Sequence, residues 1–126
     1  IDGIATDHAP HSKEEKSKPI EKALNGIVGI ETSFALSYTY LVKTGILTPL
    51  ELINKMSTKG AEILDIKRGT LKVGSIADIA LFDVTNEYEI KEEDFKSKSH
   101  NSPFIGMNVY GKTVQTFVAG KCKYKR

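Results

Sequence analysis

Between Glu31 and Thr44 apolar side chains recur at three- and four-residue intervals, and Phe34, Tyr38, Leu41 and Val42 fall on one side of a predicted helix. Gly45 stands where a C-terminal cap belongs. A sharper start signal follows in Thr48-Pro49-Leu50-Glu51, with a capping threonine, proline at the first helical position and a glutamate placed to reach back. Leu50, Ile53 and Met56 form the expected buried stripe. Ser57 is placed to cap another short helix carrying Ala61, Ile63 and Leu64.

The two ends of the chain have other patterns. Ile1 to Thr6 is a short apolar run ending at a polar cluster, which predicts a buried strand feeding a functional loop. Asp7 to Gly29 then reads as a long loop with a helical turn at the charge run Lys13-Glu14-Glu15-Lys16. After Lys67, glycines at 69, 74, 106, 111 and 120 punctuate short segments. Ile79–Val84, Thr113–Val118 and Lys121–Tyr124 are predicted strands, with Ala119-Gly120 at a hairpin turn. In the last strand Cys122 and Tyr124 alternate with Lys121, Lys123 and Lys125, so one face is expected buried and the other wet. The second half is thus a small antiparallel β module. One strand followed by helices cannot make a sheet, so the first half calls for further strands from elsewhere. The opening at Ile1 reads as the middle of a longer polypeptide. Phe34, Leu41, Ile53 and Leu81 are the expected core.

Composition supports a packed domain. The 126 residues are 40% hydrophobic and 27% charged, which excludes a disordered chain. A net charge of +2 gives no ground for nucleic-acid binding. No apolar stretch approaches the roughly 20 residues of a membrane span. Cys122 is the sole cysteine, so no disulfide forms within the chain. That suits a cytoplasmic protein, with Cys122 as a small buried apolar residue.

The densest chemistry lies in Asp7-His8-Ala9-Pro10-His11, with three metal-ligand types within five residues directly after the predicted first strand. At the C-terminal end of a parallel barrel strand such residues point into an active site. Spacing alone favours a plainer alternative, a polar loop in which Asp7 caps a turn and the histidines are solvated. A zinc site takes three or four protein ligands. Pro10 stiffens this segment, and neighbours along an extended chain point to opposite sides, so the three are not expected to converge on one ion. His100, in Lys98-Ser99-His100-Asn101-Ser102, reads as an ordinary surface histidine. There is no HExxH, Cys-x-x-Cys, Gly-x-Gly-x-x-Gly or phosphate-loop pattern.

Ile4-Ala5-Thr6-Asp7-His8-Ala9-Pro10-His11 resembles the signature of the class I dihydroorotases of the amidohydrolase superfamily. Gly26-Ile27-Val28-Gly29-Ile30-Glu31-Thr32, Gly69 to Ile79, Ser102-Pro103-Phe104-Ile105-Gly106 and Val118-Ala119-Gly120-Lys121 resemble later segments of that family. The resemblance implies an α/β fold: the C-terminal part of a (β/α)8 barrel, with its last strand and closing helices in 1–66, and part of the flanking β-sandwich in 67–126. It implies interconversion of N-carbamoyl-L-aspartate and L-dihydroorotate with one or two zinc ions. Asp7 matches the family's catalytic base, which also touches metal. His11 matches the residue that binds the substrate carboxylate. Asn25 and Gly26 match positions whose backbone contacts the ring, although the family often has Pro-Phe-Gly where this chain has Leu24-Asn25-Gly26. His8 belongs to the signature without a ligand role.

The family's other metal histidines and a substrate-contacting Asn and Arg lie upstream, so an N-terminal barrel segment is an expected partner and the chain alone is expected to be inactive and to lack most of the metal site. Two further readings remain. One is a non-catalytic, dihydroorotase-like partner of aspartate transcarbamoylase; the other is a sister hydantoinase or allantoinase, against which His11 argues. A homodimer is a further expected assembly. Nucleic acid and membrane are not expected partners.

Overall fold

The computed structural model describes all residues, Ile1–Arg126. Local capping sets its helices. The Ser12 hydroxyl accepts the Glu15 N–H at 3.2 Å while the Glu15 carboxylate accepts the Ser12 N–H at 2.8 Å, and helix α1 (Lys13–Lys16) follows. Thr48 and Glu51 repeat this reciprocal cap at α3 (Pro49–Ile53), with Pro49 in the first turn. Between them α2 (Ser33–Ser37) continues into a wider π-type turn over Tyr38–Val42. Gly45, at φ 78°, ends it, and the Leu47 N–H returns to the Leu41 carbonyl at 2.8 Å. Helix α3 runs through a second π-type turn, Asn54–Thr58, directly into α4 (Lys59–Ile63). Ser57 therefore caps nothing: it lies inside one continuous helix.

Three strands fall where they were expected, β1 (Ile79–Asp83), β4 (Lys112–Val118) and β5 (Lys121–Lys125), while the two-residue strands β2 (Tyr88–Glu89) and β3 (Asn108–Val109) were not foreseen, being too short to show a pattern. A three-stranded antiparallel sheet has the order β1-β4-β5, and β2 pairs with β3 in a separate ribbon. Ala119 and Gly120, at φ 48° and 76°, form the two-residue turn between β4 and β5. The residues before β1 hold that turn. Asp78 Oδ1 accepts the Ala119 N–H at 2.8 Å, Arg68 Nε donates to Asp78 Oδ2 at 2.6 Å, and the Gly120 N–H reaches the Ala77 carbonyl at 2.9 Å.

These contacts make the turn sensitive to acid. The Ala119 N–H first, and the Arg68 side chain after it, hold the Asp78 carboxyl below its ordinary value of 3.8. The folded chain then binds the Asp78 proton less tightly than the unfolded chain does. The stabilisation is present above that ordinary value and is lost as pH falls through the lower folded-state value. Denaturant unfolding of wild type and Asp78→Asn should show wild type more stable at pH 7, with the difference shrinking as pH falls below about 4. A difference independent of pH would exclude the carboxylate as its source.

The core joins α2 to the β elements. Ala35, Ile90 and Val109 are buried together, with Leu36, Tyr88, Phe95 and Phe104 packed around them. Phe34 stacks on Phe82 of β1 with ring centroids 3.6 Å apart. The Tyr110 N–H donates to the Thr39 hydroxyl at 2.9 Å.

Several expectations require correction. Phe34 and Leu41 are half-buried, but Leu50, Ile53 and Leu81 are exposed, and Leu52 is the fully buried residue of α3. The helix carries two apolar stripes, and the one containing Leu52 turns inward. The π-type turn also shifts the phase of everything after it, so Ala61 is buried while Ile63 and Leu64 face out. Cys122 is exposed, like Lys121 and Lys123 on either side of it, and in β5 only Tyr124 is half-buried. Ile1–Thr6 is not a strand: Ile1 is fully exposed, the Ile4 N–H donates to the Lys55 carbonyl, and the only bridge nearby joins His8 and Ile27. A strand needs a neighbour along its length, and this chain offers that segment none. Between the helices and the three-stranded sheet lies an open groove of about 1310 Å³, with Phe34, Ile53, Met56, Ile66, Leu71 and Phe82 in its walls. No helix is long and apolar enough to cross a membrane.

Candidate functional site

Two loops meet after the unpaired opening segment. The Ala9 N–H donates to the Ile27 carbonyl at 2.8 Å, beside the His8–Ile27 bridge. His11 Nε2 lies 2.8 Å from the Asn25 carbonyl oxygen. A carbonyl only accepts, so Nε2 carries the proton and donates. The structure thus brings His11, Asn25 and Gly26 together. Gly26 adopts φ 109°, and a Cβ there would lie 2.4 Å from the Ala9 Cβ, so the two loops approach at a distance only glycine permits.

The three residues of the polar cluster divide. His8 Nδ1 accepts the N–H of Gly29 at 3.1 Å and lies 3.4 Å from the N–H of Ile30, so it is a structural clasp with its proton on Nε2. His11 turns its other nitrogen, Nδ1, toward Glu15 Oε2 at 4.0 Å. The Ser12 N–H first, with His11 adding to it, holds the Glu15 carboxyl below the usual carboxylate range. Asp7 is exposed at φ 44°, a left-handed conformation that aspartate tolerates better than most residues and that is over-represented where chemistry happens. His100 is the surface histidine expected, paired with Glu92 at 3.1 Å.

Three residues that the sequence did not single out complete the site's frame. Asn101 Nδ2 donates to the carbonyls of Ala9 and Gly26, at 3.1 and 3.2 Å. The Ser99 hydroxyl donates to the His11 carbonyl. Lys16 Nζ donates to the carbonyls of Leu24 and Gly26, at 2.9 and 3.2 Å. Asn101 lies 90 positions from His11, and no periodicity or spacing could have linked them.

The donor set does not by itself make a metal centre. No three His, Cys, Asp or Glu side chains converge to hold an ion. His8 Nδ1 and His11 Nε2 are engaged by backbone groups, and Asp7 offers a single exposed carboxylate. A zinc centre needs more ligands than these residues bring together.

An α/β chain with an Asp-His-x-x-His loop folded against a glycine-held second loop defines a class. Residues 1–123 match the amidohydrolase family, and the chain belongs to it. It is similar to the dihydroorotase of Staphylococcus aureus (strain N315), with 49% identity over 125 residues, covering 99% of this chain and 30% of that protein. The dihydroorotase of Pediococcus pentosaceus is 52% identical over 124 residues, covering 98% and 29%. Among solved structures, the L-hydantoinase (dihydropyrimidinase) of Arthrobacter aurescens superimposes with a TM-score of 0.91 at 35% identity, covering 99% of this chain and 29% of that one. The dihydropyrimidinase of Brevibacillus agri gives 0.92 at 27% identity, covering 99% and 28%. The chain therefore spans about 30% of the length of the curated relatives it matches.

Proposed function

We propose that this chain is the part of a dihydroorotase that carries the catalytic base and one wall of the substrate pocket. The observation that carries the reading is the meeting of His11, four residues after Asp7 in the chain, with Asn25 and Gly26, in a protein about half identical to dihydroorotases over nearly its whole length. In this reading 1–66 closes the catalytic barrel and 67–126 belongs to the flanking sandwich. Ile1–Thr6 takes strand form when neighbouring barrel strands pair with it. The exposed Leu50, Ile53, Ile63 and Leu64 are the surface that an upstream barrel segment covers.

The chemistry assigned to these residues follows from their types. Hydrolysis joins a water oxygen to the amide carbonyl carbon of L-dihydroorotate and breaks the carbon–nitrogen bond. Asp7 takes the proton from the attacking water and returns it to the leaving nitrogen, which gives N-carbamoyl-L-aspartate; ring closure is the reverse. His11 is assigned to the substrate carboxylate, to which its Nε2–H would turn from the Asn25 carbonyl that it meets here, and the backbone at Asn25 and Gly26 supports the ring. In the full-length enzyme Asp7 would be one ligand to a zinc ion held mainly by upstream histidines, and the chemistry such an ion would supply is a polarised carbonyl and a more acidic water.

The likeness to hydantoinase structures favours one second reading, a sister amidase for hydantoin-like rings. The purified full-length enzyme, supplied with zinc, separates the two. L-dihydroorotate should be hydrolysed, while hydantoin and allantoin, which lack the carboxylate that His11 would bind, should be left. The opposite preference would replace the first reading with the second.

A further inference from the structure

We propose that Asn101 is a positioning residue for substrate binding, a tie from the β half that fixes the two pocket loops relative to each other; this rests on the reading of Asp7, His11, Asn25 and Gly26 given above. Its side chain bridges both loops. One amide hydrogen goes to the Ala9 carbonyl at 3.1 Å and the other to the Gly26 carbonyl at 3.2 Å, while Oδ1 lies 3.4 Å from the His11 backbone nitrogen as acceptor. Its own carbonyl accepts the Val28 N–H at 3.2 Å. Only a primary amide supplies two donors and an acceptor from one short side chain, so the site is matched to asparagine.

The tie is itself anchored. Ser99 is buried, and its hydroxyl donates to the His11 carbonyl. The amides of Lys96 and Ser97 donate to the two oxygens of the Glu31 carboxylate at 2.8 and 2.9 Å. His100 pairs with Glu92. The segment 96–100 is therefore a strap fastened at several points just ahead of Asn101. Neither loop has regular structure of its own beyond the His8–Ile27 bridge and α1. Direct ties hold the loops at Ala9–Ile27, at His8–Gly29 and at His11–Asn25, and Asn101 and Lys16 add side-chain bridges at the Gly26 carbonyl, where the second loop meets the first. The loop that binds the carboxylate and the loop that supports the ring are the two that Asn101 joins, so its loss falls on substrate binding before it falls on the proton transfer at Asp7.

Asn101→Asp in the full-length zinc enzyme is the test. The aspartate is nearly the same size but donates nothing, and it turns a second oxygen toward the Ala9 and Gly26 carbonyls. KM for L-dihydroorotate should rise by about tenfold or more with kcat changed by less than about threefold, because an interaction acting on the bound state has been removed. Backbone hydrogen exchange should quicken at 8–11 and 24–28 and stay unchanged at 112–125. An unaltered KM in the folded variant overturns the proposal. A fall in kcat at constant KM also overturns it, since that reports a loss of competent enzyme. If Asn101→Asp does not fold, Asn101→Ser, which keeps one donor, takes its place with the same outcomes. Failure of the wild-type enzyme to hydrolyse dihydroorotate would defeat the functional reading instead. Loop exchange would then decide the tie alone: unchanged exchange overturns it and faster exchange sustains it.

Discussion

Asp7→Asn in the full-length enzyme is expected to lower kcat for L-dihydroorotate hydrolysis by about 10²- to 10⁴-fold, the range associated with removing a positioned general base. The amide has the shape of the carboxylate but cannot hold the proton between attack and departure of the ring nitrogen. The fold should scarcely change. Asp7 is exposed and at φ 44°, and asparagine also tolerates the left-handed region. A thermal unfolding midpoint near wild type would therefore accompany the loss of turnover. The competing view, a solvated turn residue, requires near-normal activity and would be established by it. Because Asp7 is also proposed to touch the metal, zinc content should be measured on the same preparation. Lost turnover with zinc retained isolates the proton transfer, and lost turnover with zinc lost assigns the effect to ligation.

What could be read in the sequence was what short-range physics decides. The Thr48 cap depends on residues three apart, and it stands where expected, as do the Gly45 terminus and the Ala119-Gly120 hairpin. Three strands of the second half, β1, β4 and β5, were legible in the sequence, whereas the two-residue β2 and β3 were not. Burial was less legible. Leu50 and Ile53 have the same helical spacing as a core stripe, yet Leu52 takes the interior, because periodicity shows that a stripe exists but not which of two stripes finds a partner. Ile1–Thr6 has the composition of a strand and no strand beside it. Strand formation is a property of a pair.

The site divided along the same line. Asp7, His8 and His11 were conspicuous by residue type, and His11 does meet the Asn25-Gly26 loop. The different fate of His8, a clasp for the amides around Gly29, could not be inferred from spacing. Asn101 and Ser99 were less legible still. They sit in a polar stretch with no periodicity, and the partners of their side chains lie 75 to 92 positions away.

Gly26→Ala should lower kcat/KM for L-dihydroorotate by about 10²-fold, the scale of effect that an ångström of misplacement produces. Two effects act together at this position. At φ 109° an alanine is strained whatever the surrounding space. Its Cβ would also sit 2.4 Å from the Ala9 Cβ, where apolar carbons need about 3.5–4.0 Å. Ala9 lies in the loop that carries Asp7 and His11, so relief must open the contact between the two loops. The Gly26 carbonyl, which accepts from both Asn101 and Lys16, moves with it. Gly74→Ala is the matched control. Gly74 has a similar conformation, φ 86°, with nothing within 4 Å of the added carbon. It should lose stability by about 1–2 kcal/mol, the scale of left-handed strain in a non-glycine residue, with kcat/KM intact. Equal losses of kcat/KM in the two variants would mean that backbone strain alone accounts for the effect. A loss confined to Gly26→Ala would place the close approach of the two loops at the centre of substrate binding.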